Sequence, residues 1–153
     1  MDKNTKESRY SRINKQLEEL LTKCDIPLAR MATITAVLHY KMKSFFWTGF
    51  YLKRGDNLIV ATYQGPLACM KLEKHKGVCW ASVIENKAIV VPNVHEFPGH
   101  VACDSRSNSE IAIPVFNQKN EVAAVLDIDS REYSNFDETD ASELTKIIRL
   151  IYH

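Results

Sequence analysis

No stretch of this chain stays apolar for the about 20 residues that a bilayer crossing needs, so no membrane span is expected. Charge of one sign is missing too: 20 Lys and Arg stand against 19 Asp and Glu, a formal net charge of +1. That argues against a dedicated nucleic-acid binder, which carries a basic stripe. The run Lys71, Lys74, Lys76 is short and reads as a solvated face. Five glycines and five prolines are too few and too scattered to form a linker, and neither a repeat nor a low-complexity tract divides the chain. With 153 residues, a single domain with one core is expected. The opening MDKNTKESRYSR lacks the apolar region of a secretory signal, so a cytoplasmic protein is expected. In that compartment thiols stay reduced, and clustered cysteines read as catalytic, metal-binding or redox-active.

What is present is 45% hydrophobic and 25% charged, the composition of a soluble globular protein. Residues 1–24 read as a polar leader and helix, with Ile13, Leu17, Leu20 and Leu21 at helical steps. The core then runs over 25–153. Asp25 is the expected N-cap of a second helix with Pro27 in its first turn. Leu28, Met31, Ile34, Val37 and Leu38 form its apolar face. Phe45 to Lys53 and Leu58 to Gln64 read as a hairpin closed by a four-residue loop, Arg54 to Asn57. Residues 66–76 form a polar loop with a short strand at Leu72. Gly77 to Glu85 reads as a short helix and Ala88 to Val91 as a strand. Residues 92–108 form a long aperiodic loop, and such loops in a compact domain tend to be functional. Strands are expected over Glu110 to Phe116 and Val122 to Ile128. A final helix follows, capped from within Ser134 to Asp137. The order gives an α+β fold, an antiparallel sheet with helices packed on one face.

Three constellations carry chemistry. Cys103 lies in the irregular loop near His95, His100 and Arg106, whose positive charge would favour a thiolate. The competing reading is a buried core thiol. Cys79 opens the short helix, where backbone N–H groups also favour a thiolate. Cys69 follows Gly65-Pro66, and either Cys69 or Cys79 is a candidate partner for Cys103. Cys24 receives no role. His100-x-x-Cys103 resembles half a zinc site, but the paired short spacings of structural zinc are absent, and no metal is expected. The second constellation is acidic. Asp127 and Asp129, at i and i+2, share one strand face, and Glu110 heads the neighbouring strand. They form either a solvated sheet edge or a carboxylate cluster under a loop, with one pKa pushed upward. The third is aromatic: Trp47 and Tyr51 share a face with Gly49 between them, as core packing or as one wall of a ligand pocket.

These residues together resemble the free methionine-(R)-sulfoxide reductases, built on a single GAF domain. The resemblance runs from Trp47 to the final helix. Its anchors are Trp47-Thr-Gly-Phe-Tyr51, Gly65-Pro-Leu-Ala-Cys69, Gly77-Val-Cys79, Val94-His-Glu-Phe-Pro-Gly-His-Val-Ala-Cys103-Asp104, Ser107-Asn-Ser-Glu110 and Val125-Leu-Asp-Ile-Asp129. A ligand-sensing GAF domain, the alternative function, lacks the three cysteines in this order. The resemblance implies a GAF-like fold over 1–153 and reduction of free methionine-(R)-sulfoxide without a cofactor. It implies Cys103 as nucleophile, Cys69 or Cys79 as the resolving thiol with Cys69 favoured, and Glu110 or Asp129 as proton donor. Trp47, Tyr51, Glu110, Asp127 and Asp129 match positions lining the substrate pocket. A thioredoxin-type reductant and a homodimer are implied as partners. Trp80 is a departure, because the family commonly continues Gly-Val-Cys with a small residue.

Overall fold

A computed structural model describes residues 1–101 and 103–153; Ala102, inside the loop expected over 92–108, lies outside the described residues. Helix α1 spans Lys3–Leu20 and α2 Pro27–Lys41. Strands β1 (Trp47–Arg54), β2 (Asn57–Gln64) and β3 (Lys71–Glu73) follow, then α3 (Gly77–Glu85) and β4 (Ile89–Val91). Strands β5 (Ser109–Phe116) and β6 (Val122–Ser130) precede α4 (Glu138–Ile148). The strands form one antiparallel sheet in the order β3-β2-β1-β6-β5-β4.

The two-residue period of the strands sorts their side chains onto two faces. Phe50, Ile111, Ile113, Leu126 and Ile128 pack with Tyr10, Leu17, Met31, Ile34, Leu38, Leu144 and Ile147, so α1, α2 and α4 cover one face. Tyr51, Ala112 and Val125 point the other way and join Val78, Cys79 and Trp80 of α3. The expected α+β architecture, with helices mainly on one face, is the observed one.

Four local expectations need correction. The leader is helical from Lys3, because Asp2 caps it: the Thr5 N–H donates to Asp2 Oδ1 at 2.8 Å. Asp25 does not cap α2. Ile26 holds the cap position without a side-chain bond, and Pro27, with no N–H to satisfy and φ already helical, starts the helix. Leu28, expected on the buried face of α2, is 50% exposed. The β1–β2 loop is two residues, not four: Arg54 pairs with Asn57, leaving Gly55-Asp56, and Gly55 takes φ +60. The expected helix over Gly77 to Glu85, the short strand at Leu72 and the cap of α4 at Asp137 are all present.

Candidate active site

Sheet register alone brings three carboxylates and an aromatic together. Asp129 pairs with Trp47 on one side and with Glu110 on the other. One row along, Asp127 pairs with Gly49 and with Ala112. Directly paired residues share a face, so Trp47, Glu110, Asp127 and Asp129 all look toward α3. They line a pocket with Tyr51, Cys79 and His100, and Cys103 stands at its wall. The alternative of a solvated sheet edge does not hold, since Glu110 and Asp127 are buried and Asp129 is half-buried.

Gly49 does not leave empty space. A Cβ there would meet Trp47 Cη2 at 2.7 Å and the Thr62 carbonyl at 2.8 Å. The indole of Trp47 fills that room and stacks on Tyr51 at 5.8 Å and on Tyr63 at 5.2 Å. Tyr63 was not among the expected site residues. The register set by the turn would place Thr62 opposite Gly49; an irregularity between Gly49 and Tyr51 shifts the pairing by one and brings Tyr63 there, which no sequence pattern announces.

The thiols divide unequally. Cys69 and Cys103 form a disulfide with Cα atoms 5.5 Å apart, joining the loop after β2 to the long loop before β5. Each side is anchored. Tyr51 Oη donates to the Cys69 carbonyl at 3.0 Å, and Val60 N to the Met70 carbonyl at 2.9 Å. Beyond Cys103, Arg106 holds Asp104 through Nε at 3.0 Å and Nη2 at 2.7 Å, and its guanidinium lies 4.9 Å from the Phe46 ring centre. Cys79 is a free thiol, 2% exposed. It and one oxygen each of Glu110 and Asp127 lie within 4.8 Å of one another, and among the described residues this is where metal-ligating groups gather. The residues weighed for zinc do not assemble as ligands, because Cys69 and Cys103 are bonded to each other.

Electrostatics correct two expectations. The helix start does not make Cys79 a thiolate: burial pushes its pKa well up, and the charges of Asp127, Glu110 and Asp129 push the same way. Nor does Arg106 lend free positive charge to Cys103. Its guanidinium is spent on Asp104, whose pKa it holds down at about 2. His95 turns to Asn108 Oδ1 at 2.8 Å, and burial lowers the pKa of His100, which favours its neutral form. Glu110 and Asp129 are raised well above the ordinary carboxylate range, by burial first and by the Asp127 charge second. Asp127 is raised by burial as well, but Glu110 and Cys79 beside it favour its ionised form. Within the cluster a proton is held more tightly on Glu110 and Asp129 than on Asp127.

Two buried polar atoms have no partner among the described residues: the donor Trp47 Nε1 and the acceptor Asp127 Oδ1. Buried polar groups are almost always satisfied, so an orphaned donor and an orphaned acceptor lining one pocket describe a ligand with both functions. Trp80, the departure in sequence, leaves this geometry intact. It is 1% exposed and donates from Nε1 to the Leu72 carbonyl at 2.8 Å, on the side of α3 toward β3.

No family model matches the chain. Individual proteins do. "GAF domain-containing protein A" of Dictyostelium discoideum is 42% identical over 152 residues, 99% of this chain and 95% of that one. The free methionine-R-sulfoxide reductase of Escherichia coli K12 is 35% identical over 139 residues, 91% of this chain and 84% of its own. The structure of the Neisseria meningitidis free methionine-R-sulfoxide reductase in complex with its substrate superposes with a TM-score of 0.91 at 35% identity, covering 99% of this chain and 89% of that one. The fold is that of a GAF domain, and a disulfide with one cysteine, Cys103, in the wall of the acidic pocket fits a thiol-dependent oxidoreductase. Within that class, the chain belongs to the free methionine-R-sulfoxide reductase family.

Proposed function

We propose that this protein reduces free L-methionine (R)-sulfoxide to methionine, with Cys103 as nucleophile and Cys69 as resolving thiol. The observation that carries the reading is an acidic pocket with an orphaned donor and an orphaned acceptor, beside two cysteines close enough to bond. The alternative, a ligand sensor on the same fold, leaves that cysteine pair without a use.

In the proposed cycle the Cys103 thiolate attacks the sulfoxide sulfur. The sulfoxide oxygen takes a proton as its bond to sulfur breaks, and Glu110, or Asp129 next to it, supplies that proton. The protonated oxygen passes to the Cys103 sulfur as the bond between that sulfur and the substrate sulfur breaks, so methionine leaves with the electron pair and Cys103 becomes a sulfenic acid. The Cys69 thiol then displaces water from it, giving the observed disulfide. Trp47 Nε1 donates to the sulfoxide oxygen, and Asp127 Oδ1 accepts from the substrate ammonium. Tyr51 forms an apolar wall and holds the Cys69 loop. A residue inside a peptide lacks that ammonium, so the buried charge of Asp127 selects the free amino acid. Cys79 was the other candidate resolving thiol. Its burial and raised pKa argue for a structural place beside Asp127.

A thioredoxin-type dithiol resets the enzyme by thiol–disulfide exchange. Residues 1–153 act as one GAF unit, since α1 packs on α4. Exposed Ile26 and Leu28 at the start of α2 support a homodimer through that helical edge. No helix is long and apolar enough to cross a membrane, and a cytoplasmic setting suits a recycled disulfide. The test is NADPH consumption coupled through thioredoxin and its reductase. The free R epimer is expected to be turned over and Cys103→Ser to be inactive. No consumption with either epimer, or full activity in Cys103→Ser, overturns the reading.

A further inference from the structure

A disulfide is reduced when an outside thiolate attacks one of its sulfurs, so the surface around Cys69–Cys103 must admit the molecule that brings it. Cys103 is exposed and Cys69 half-buried. On either side of Cys69 stand the two most exposed large apolar side chains among the described residues, Leu67 at 85% and Met70 at 75%. A lone exposed apolar residue needs no explanation. These two differ because they flank a cysteine whose carbonyl, like that of Met70, is held by a hydrogen bond. The Met70 carbonyl accepts from Val60 N at 2.9 Å and the Cys69 carbonyl from Tyr51 Oη at 3.0 Å. Leu67 and Met70 thus form an apolar lip raised beside the disulfide. Exposed Lys71, Lys74, His75 and Lys76 follow; Lys74 pairs with Asp56 at 3.3 Å and Lys76 with Glu73 at 3.5 Å, which leaves Lys71, next to Met70, as the cation without an ion pair among the described residues at that border of the lip.

We infer that Leu67 and Met70 form the docking lip for a protein dithiol of the thioredoxin class, and that docking there directs the partner's thiolate onto Cys69 Sγ. A small thiol needs no lip; a folded protein with an apolar, acid-bordered face around its own thiol does. In the first step a bond forms between the partner's sulfur and Cys69 Sγ. The Cys69–Cys103 bond breaks, and Cys103 leaves as a thiolate, the form that the next sulfoxide requires. The partner's second thiolate then attacks its own sulfur in the mixed disulfide. This frees Cys69 as a thiolate, which takes up a proton. The two electrons come from the dithiol, which departs as a disulfide.

The inference rests on the proposed activity and deepens it by naming the surface at which the reductant docks, but its test needs no sulfoxide. Oxidised full-length protein is mixed with reduced thioredoxin, and the loss of the Cys69–Cys103 disulfide is followed by mass. Met70→Asp is expected to slow this reaction about tenfold, as loss of an apolar anchor does, with Met70→Ser slower than wild type as well. Reduction by dithiothreitol stays at the wild-type rate in both variants. A thioredoxin whose second cysteine is replaced by serine is expected to be trapped on Cys69. Unchanged thioredoxin rates, or an equal loss with dithiothreitol, overturn the lip; trapping on Cys103 overturns the direction of attack. Failure of the sulfoxide reading shows separately, in the NADPH-coupled assay.

Discussion

Glu110 is where burial becomes chemistry. Its carboxyl sits on β5 opposite Asp129 and near Asp127, and burial beside a like charge keeps it protonated. A proton held there is available when the sulfoxide oxygen leaves. Glu110→Gln keeps the shape and a hydrogen-bond donor but removes the transferable proton. Its kcat is expected to fall on the order of 100-fold or more with a smaller change in KM. Steady-state kinetics check this, and an unchanged kcat assigns the proton to Asp129. The residues of this site were legible as types: each of the eight named positions lies at or beside one pocket. Their protonation states were not legible. Cys79 at a helix start promised a thiolate, yet burial against carboxylates decides the opposite.

At the scale of elements, α1 and α4 are tied by a buried polar cluster that the sequence gave no sign of. Lys6 Nζ donates to Asp140 Oδ2 at 2.7 Å and Tyr10 Oη to Asp140 Oδ1 at 2.6 Å, with Asp140 itself 1% exposed. Asp140 also accepts from the Asp137 N–H at 2.9 Å, closing the capping box of α4. Asp2 caps the polar leader, and Lys6 then anchors that helix to Asp140, a partner 134 positions away in sequence and beyond the reach of any local pattern. Removing one member strands a buried charge. Asp140→Ala is therefore expected to cost about 3–5 kcal/mol in denaturant unfolding. A loss under about 1 kcal/mol, the size of an exposed ion pair, shows that the cluster is solvated. Short elements with strong punctuation were legible: α3 begins at Gly77 and ends at Glu85 as periodicity and Gly77 predict. Caps and turns were less so: Asp25 reads as a cap with Pro27 in the first turn, yet Ile26 holds the cap position and Pro27 starts α2.

For the molecule as a whole, the acidic pocket and the disulfide both act on stability. Glu110 and Asp129 bind protons more tightly folded than unfolded. Their contribution is fully present below the ordinary carboxylate pKa of about 4 and is lost as pH rises through their raised folded values. Denaturation midpoints are expected to fall as pH rises above the ordinary carboxylate range, and to fall less in Glu110→Gln. Equal slopes for the two proteins contradict a protonated Glu110. The disulfide closes a loop across a separation of 34 residues, and the chain-entropy relation gives up to roughly 4 kcal/mol for that closure. Thermal unfolding with and without a reductant is expected to show a less stable reduced protein; identical midpoints mean that the native state offsets the lost constraint. The sequence by itself determined the order of elements, the faces of the strands and the set of reactive residue types, because periodicity and punctuation are local. Only the tertiary structure decided which cysteine meets Cys103 and which carboxyl keeps its proton. Pairing depends on where two loops converge, and a pKa depends on water excluded by elements distant in the chain.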